Sequence, residues 1–310
     1  MSEPVDGRPV LRDVIGVLVA WNDHELTVVP RSGEPVTFPP GLLVAGKTVP
    51  LFPARRAPLP ETTPVELQRI AAAGWPAVEQ EPLGEWTLRA SAGFTRRANS
   101  VQALGDPGLP LPAALDAVRD WYAARGLPAH VEVLTPGSPP ALAAELERAG
   151  AVLAPTQVRV APLAPLARAA RDSRAVRLSR TADAAWMSLY RRVTADPEVE
   201  RAARRVIHGG PSVWFATVPG PEAGAPPLAI GRLAVDGDWA CFSAVEVAPA
   251  ARRRGLATTV MGVLAARAAE EGARGGYLQV EAENDTALAL YDRLGFTTSH
   301  TYHYARLSAR

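Results

Sequence analysis

The sequence predicts an α/β protein built on a mixed sheet and preceded by a small all-β unit. Three observations carry this. The first sixty residues hold short strand-forming runs separated by tight turns, with no helical periodicity. Residues 62–160 and 176–310 each alternate strand-like runs with amphipathic helices. The second of those segments reads βααβββαβαβ, and its longest helix follows a strand through a short, glycine-containing loop.

In chain order, Val14–Trp21 is a strand, Asn22-Asp23-His24 turns it, and Leu26–Val29 returns. Ser32-Gly33-Glu34 turns again into Val36–Phe38. This spacing predicts a small barrel over residues 1–60, closed by a proline-rich linker, Phe52–Pro60. Thr63-Pro64-Val65-Glu66 opens a helix running to about Ala73. Strands are expected at Trp86–Ala90, Ser100–Leu104 and Val131–Leu134, and helices at Pro112–Arg125 and Ala141–Ala149. Ala161–Ala175 reads as a second linker, so domains are expected at 61–165 and 174–310. In the last domain, Val176–Leu178 is a strand, and Thr181–Arg192 and Pro197–Ile207 are helices. Val213–Val218, Leu228–Val235 and Trp239–Val247 are strands, the last two joined by the Asp236-Gly237 turn. A helix over about Leu256–Glu271, a strand at Leu278–Glu281, a helix over about Thr286–Leu294 and a strand at Thr301–Leu307 complete the chain.

Charge and composition exclude several classes. The chain has 310 residues, 47% hydrophobic and 21% charged, ample for sizeable cores. A net charge of +1 argues against a dedicated nucleic-acid site or a polybasic membrane anchor, both of which need a strong positive excess. Cys241 is the single cysteine, so no intramolecular disulfide can form, which fits a reducing cytoplasm. Glu3, Asp6, Arg8 and Arg12 break any apolar leader, and no apolar run reaches the roughly 20 residues a transmembrane helix needs. Gly41–Thr48 matches the phosphate-loop pattern G-x-x-x-x-G-K-T, but Pro39-Pro40 precede it and Pro50 and Pro53 follow. The required strand and helix are therefore not predicted, and a turn and strand are expected instead.

The chemistry is expected at the strand–loop–helix of Val245–Thr258. Arg252, Arg253, Arg254, Gly255, Leu256, Ala257 and Thr258 sit at a helix start, where unpaired N–H groups and the helix dipole favour a pyrophosphate. Gly255 and Ala257 leave the backbone accessible, and Val260, Val263, Leu264 and Ala268 give the helix an apolar face. Downstream, Ala287, Leu290, Tyr291 and Leu294 share one face of the helix that follows Asn284.

Together these two segments resemble the GNAT superfamily of acyl-CoA-dependent N-acetyltransferases. Arg252-x-x-Gly255-x-Ala257 is similar to its pyrophosphate loop, and Asn284 with Leu290-Tyr291-x-x-x-Gly295-Phe296 to its later motif. The resemblance implies acetyl-CoA as donor and a primary amine, on a protein lysine or a small molecule, as acceptor. It implies pantetheine along Val245–Val247, cofactor contact from Asn284, and Tyr291 as the acid that protonates the departing thiolate. The whole chain further resembles actinobacterial members with an SH3-like N-terminal barrel, some described as histone or protein acetyltransferases. Residues 62–160 look like a degraded second copy of the fold. Leu146 stands where the tyrosine would be, and Gly105–Pro110 replaces the pyrophosphate loop without an arginine. One cofactor per chain is therefore expected.

The base is harder to place. A lysine-like ammonium, with a pKa of about 10.4, costs roughly 4–5 kcal/mol to deprotonate at pH 7. Some relatives carry a glutamate where Cys241 or Gln279 stands here. Glu246 is the nearest carboxylate, though strand alternation turns it away from Val245 and Val247. Glu281 and Glu283 are further candidates. A non-catalytic acetyl-CoA-binding regulator is the alternative that this arrangement leaves open.

Overall fold

The computed structural model describes residues 2–5, 8–11, 13–30, 33–46, 59–153, 155–170, 173–192, 196–222 and 224–308. The chain divides into two compact units, Met1–Ala57 and Pro58–Arg310.

In the first unit, β1 (Ser2–Val5) and β2 (Arg8–Leu11) form a hairpin. A separate antiparallel meander comprises β3 (Gly16–Trp21), β4 (Leu26–Pro30) and β5 (Val36–Phe38). The Asn22 side chain accepts the N–H groups of His24 and Glu25 and so fixes the first turn. Gly33, at φ +87°, makes the second. No described pairing closes these two sheets into the expected barrel. A 3₁₀ turn over Pro40–Leu42 sits where the phosphate-loop look-alike begins. Its Lys47 and Thr48, and the expected strand and linker through residue 58, lie outside the described residues.

The second unit opens with α1 (Pro64–Gly74), capped by Thr63 Oγ1 on the Glu66 N–H and by the Glu66 carboxylate on the Thr63 N–H. Then come β6 (Glu79–Leu83), β7 (Trp86–Ala90), β8 (Val101–Gln102), α2 (Leu111–Ala123), β9 (His130–Leu134), α3 (Pro140–Ala149) and β10 (Gly150–Val152). The expected linker 161–175 is instead the end of β11 (Thr156–Pro162), followed by α4 (Leu163–Arg168) and a 3₁₀ turn. Its prolines sit at a strand end and in a helix start, while Val158, Val160, Leu163 and Leu166 are buried. After β12 (Arg177–Ser179), the helix expected over Thr181–Arg192 is only α5 (Ala184–Leu189). The chain then leaves the helix at Tyr190, where burial of that ring takes over. The remainder matches the predicted order: α6 (Pro197–His208), β13 (Ser212–Val218), β14 (Ala229–Asp236), β15 (Trp239–Val247), α7 (Leu256–Glu270), β16 (Gly275–Glu281), α8 (Asp285–Arg293) and β17 (Thr297–Leu307).

One mixed sheet runs through both halves in the order β12-β13-β14-β15-β16-β11-β17-β9-β8-β7-β6, with β10 also paired to β17. In each half a parallel pair brackets a helix: β8 and β9 around α2, β15 and β16 around α7. The halves exchange strands. β11 comes from the first half and inserts between β16 and β17. The last residues of β17, Tyr302–Arg306, pair with β9 of the first half. The halves therefore form one unit, because each completes the other's sheet.

Two buried cations organise the interior. Arg232 is fully buried, with no carboxylate partner among the described residues. It donates to the carbonyls of Gly74, Ile207 and Gly209, at the ends of α1 and α6, and to Ser243. In the first half, Glu132 accepts from Arg89 and from the amides of Gln68 and Gln102, at 2.8–3.0 Å. All four side chains are buried, so this network fills the space beside β8 and β9.

Candidate active site

β15 and β16 pair only over Trp239–Cys241 and Gly275–Tyr277, and then separate. The cause lies partly in β15. Its register against β14 shifts between Ile230 and Arg232, and Ala244 adopts φ +50°. One extra residue at this bulge reverses the side-chain alternation beyond it. Beyond it, Val245 and Val247 pack against the core that includes Val260 and Leu264 of α7, Glu246 pairs with Arg191, and Val245 and Glu246 both line the cleft.

The cleft has a volume of about 490 Å³. β15 supplies Phe242 to Glu246 along one wall, and β16 supplies Gln279 to Glu281 along the other. Asn284, Ala287 and Tyr291 of the α8 segment close one side. Asn284 Oδ1 caps α8 by accepting the Ala287 N–H at 3.2 Å. Tyr291 packs edge-on against Phe296, with ring centroids 5.7 Å apart. From the exchanged strand β11, Arg159 donates to Asp292 at 2.6 Å and to the Phe296 carbonyl. The first half thus pins both ends of the turn that follows Tyr291.

Sequence reasoning missed the remaining wall. Thr95, Arg96 and Arg97 arrive from the first half, Tyr190, Arg191 and Arg192 from the end of α5, and Thr156, Tyr302 and Tyr304 from the exchanged strands. The signals were the Arg96-Arg97 and Arg191-Arg192 pairs, but nothing local in the chain shows that they converge.

Burial dominates the electrostatics. It pushes the Glu246 carboxyl above its ordinary range, against the Arg191 N–H and guanidinium that pull it down, each 3.3 Å away. It raises the Tyr291 phenol and lifts Tyr190 and Tyr302 to about 12. All three phenols are therefore protonated at neutral pH. Gln279 Oε1 accepts from Arg97 and from the Tyr302 hydroxyl, each at 3.2 Å. Cys241 is buried with its thiol pushed up, and it packs beside Tyr277 away from the cleft lining. Glu283 does not line the cleft either.

Arg252–Thr258 and Val247 lie beyond the cleft lining. Arg252, Arg253, Arg254 and Gly255 are exposed, and α7 begins with neither a side-chain cap nor an acidic residue in its first turn. Gly255 has φ +78°, and a Cβ there would meet nothing within 4 Å, so the backbone N–H groups are open to a ligand. In the first half the corresponding loop satisfies itself. The Asp106 N–H donates to Glu85 at 2.6 Å and the Gly108 N–H to Asp106 at 2.8 Å. Leu146 there is buried in the core. Among the described residues no group of side chains is arranged to hold a metal ion, and no helix is long and apolar enough to cross a membrane.

Residues 65–305 match the family model described as "Probable histone acetyltransferase Rv0428c C-terminal". The chain is 30% identical to the probable histone acetyltransferase Rv0428c of Mycobacterium tuberculosis, over 97% of this chain and 91% of that protein. It is 29% identical to the uncharacterized N-acetyltransferase YobR of Bacillus subtilis, over 77% of this chain and 96% of YobR. A GCN5-related N-acetyltransferase from Kribbella flavida shares the fold, with a TM-score of 0.52 at 17% identity. The match covers 81% of this chain and 98% of that one. The divided strands, the uncapped basic helix start and these likenesses agree: the chain belongs to the Rv0428c C-terminal acetyltransferase family and is a GNAT N-acetyltransferase.

Proposed function

We propose that the chain moves the acetyl group of acetyl-CoA to a primary amine, with Glu246 and Tyr291 handling the protons. The observation that carries this reading is the convergence of both residues, from β15 and α8, on the cleft between the separated strands. The helix start fits a pyrophosphate, because every group it offers is an N–H donor or a guanidinium and no carboxylate competes. Acetyl-CoA, when bound, supplies the activated acetyl group. Val245 and Val247 offer the strand edge for the pantetheine arm, and Asn284 keeps its amide N–H groups for a contact while its oxygen caps α8. Glu246 takes the ammonium proton, directly or through a water, and Tyr291 holds a proton at Oη for the departing sulfur. Incubating the full chain with acetyl-CoA and an amine panel, and measuring free CoA thiol, tests the reading. Acetyl-CoA binding without thiol release for any amine would favour a non-catalytic regulator.

The raised Glu246 carboxyl sets the acid limb of the rate. Below its pKa the group is protonated and cannot accept, so kcat/KM is expected to fall as pH drops through that value. Glu246→Gln is expected to lower the rate by about a hundredfold and to flatten this limb. A profile with the same limb in both forms would remove Glu246 from the role.

Because Glu85 and Asp106 occupy the loop amides of the first half, one acetyl-CoA per chain is expected. Titration calorimetry giving two equivalent sites would overturn this.

A further inference from the structure

The charges lining the cleft do not balance. Four arginines face it, Arg96, Arg97, Arg191 and Arg192, against two carboxylates, Glu246 and Glu281. Both carboxylates are already paired, Glu281 with Arg96 at 3.2 Å and Glu246 with Arg191 at 3.3 Å. Among the described residues, no carboxylate lies within ion-pair distance of Arg97, and Arg192 acts on Glu246 only at longer range. Arg97 is also held in place. Its guanidinium lies 4.6 Å from the centroid of the Trp75 ring, and one N–H donates to Gln279. Trp75 is itself fixed by stacking on Phe94 and by the Nε1–H bond to Thr95. A half-buried guanidinium oriented on an aromatic face, with donors to spare and no acid partner, is a preorganised carboxylate receptor.

We propose that Arg97, contributed by the first half and assisted by Arg192, binds the carboxylate of the acceptor, so that the preferred acceptor is a small amine carrying a carboxylate rather than a polycationic, lysine-rich peptide. This rests on the acetyl-transfer reading of the same cleft. A polycationic tail would bring like charges against four arginines, whereas a zwitterion meets the two unpaired ones with its carboxylate and Glu246 with its ammonium. The nearby guanidinium groups also favour loss of the ammonium proton. The half that carries a self-satisfied loop would thereby serve as the acceptor-selecting wall.

The test compares the twenty L-amino acids with their carboxamides and with a lysine-rich histone-tail peptide. It uses the full chain and measures both thiol release and calorimetric affinity in the presence of CoA. At least one amino acid is expected to exceed its carboxamide by about tenfold or more in kcat/KM and in affinity. In Arg97→Met, which keeps the aliphatic stem on Trp75, that ratio is expected to fall below about threefold, and Arg97→Lys should restore part of it. Equal use of acids and amides, a preference for the histone tail, no amino acid bound, or an unchanged ratio in Arg97→Met would overturn the proposal. Carboxylate-selective binding lost in Arg97→Met, without turnover of any amine, would sustain the carboxylate receptor while overturning acetyl transfer. Turnover without charge selectivity would do the reverse.

Discussion

Replacing Arg252 and Arg254 together by glutamate is expected to weaken acetyl-CoA binding by at least about a hundredfold. Both side chains are exposed beside the uncapped start of α7. A hydrogen bond to a charged partner contributes about 1.5–3 kcal/mol, and about 1.4 kcal/mol is tenfold in affinity. Losing two such contacts gives roughly two decades or more, and the new carboxylates repel the phosphates and compete with them by capping the first-turn N–H groups. Neither arginine makes an ion pair among the described residues, so the melting temperature should hold. Arg201→Glu, on the exposed face of α6, makes a comparable charge change per site and controls for net charge. Calorimetry at two salt concentrations reads the result, with the wild-type affinity falling as salt rises and the double variant responding less. An affinity within a few-fold of wild type would place the pyrophosphate elsewhere.

The loop and its helix were legible in the sequence because their signals are local: a strand, a glycine able to adopt positive φ, and an apolar face at helical spacing. The same holds for Asn284 and Tyr291, seven residues apart on one helix and its cap. Three features were not legible, each for a physical reason. β11 sits among prolines that suggest a linker, and it becomes a strand only because β16 and β17 offer it two edges from the other half of the chain. That Glu246 lines the cleft with Val245 depends on one positive-φ alanine, Ala244, which no residue preference announces and which reverses the parity of everything after it. Arg97 reaches the cleft 182 residues in sequence from its partner Gln279, through the packing of one half against the other. What remained hidden was therefore the far wall of the cleft, which the packing of one half against the other assembles.

Removing only the Tyr291 hydroxyl, in Tyr291→Phe, is expected to slow turnover by at least about a hundredfold while leaving acetyl-CoA affinity within a few-fold. Proton donation by a positioned acid is worth about 10²–10⁴-fold. Burial raises the phenol pKa, so the proton is in place across the neutral range, and a departing CoA thiolate, whose thiol pKa of about 8.5 resembles that of cysteine, gains from receiving it. No described group hydrogen-bonds the hydroxyl, so its removal strands no partner. The ring keeps its contact with Phe296, and Arg159 still holds the helix end through Asp292 and the Phe296 carbonyl. Folding and the helix-start contacts should thus survive, separating a chemical role from a packing one. The measurement is the acetyl-CoA dissociation constant and kcat for both forms, with the best amine of the panel. A lowered kcat with preserved affinity identifies the hydroxyl as the acid. An unchanged kcat would return Tyr291 to the part its ring already plays, that of an aromatic wedge between α8 and the sheet.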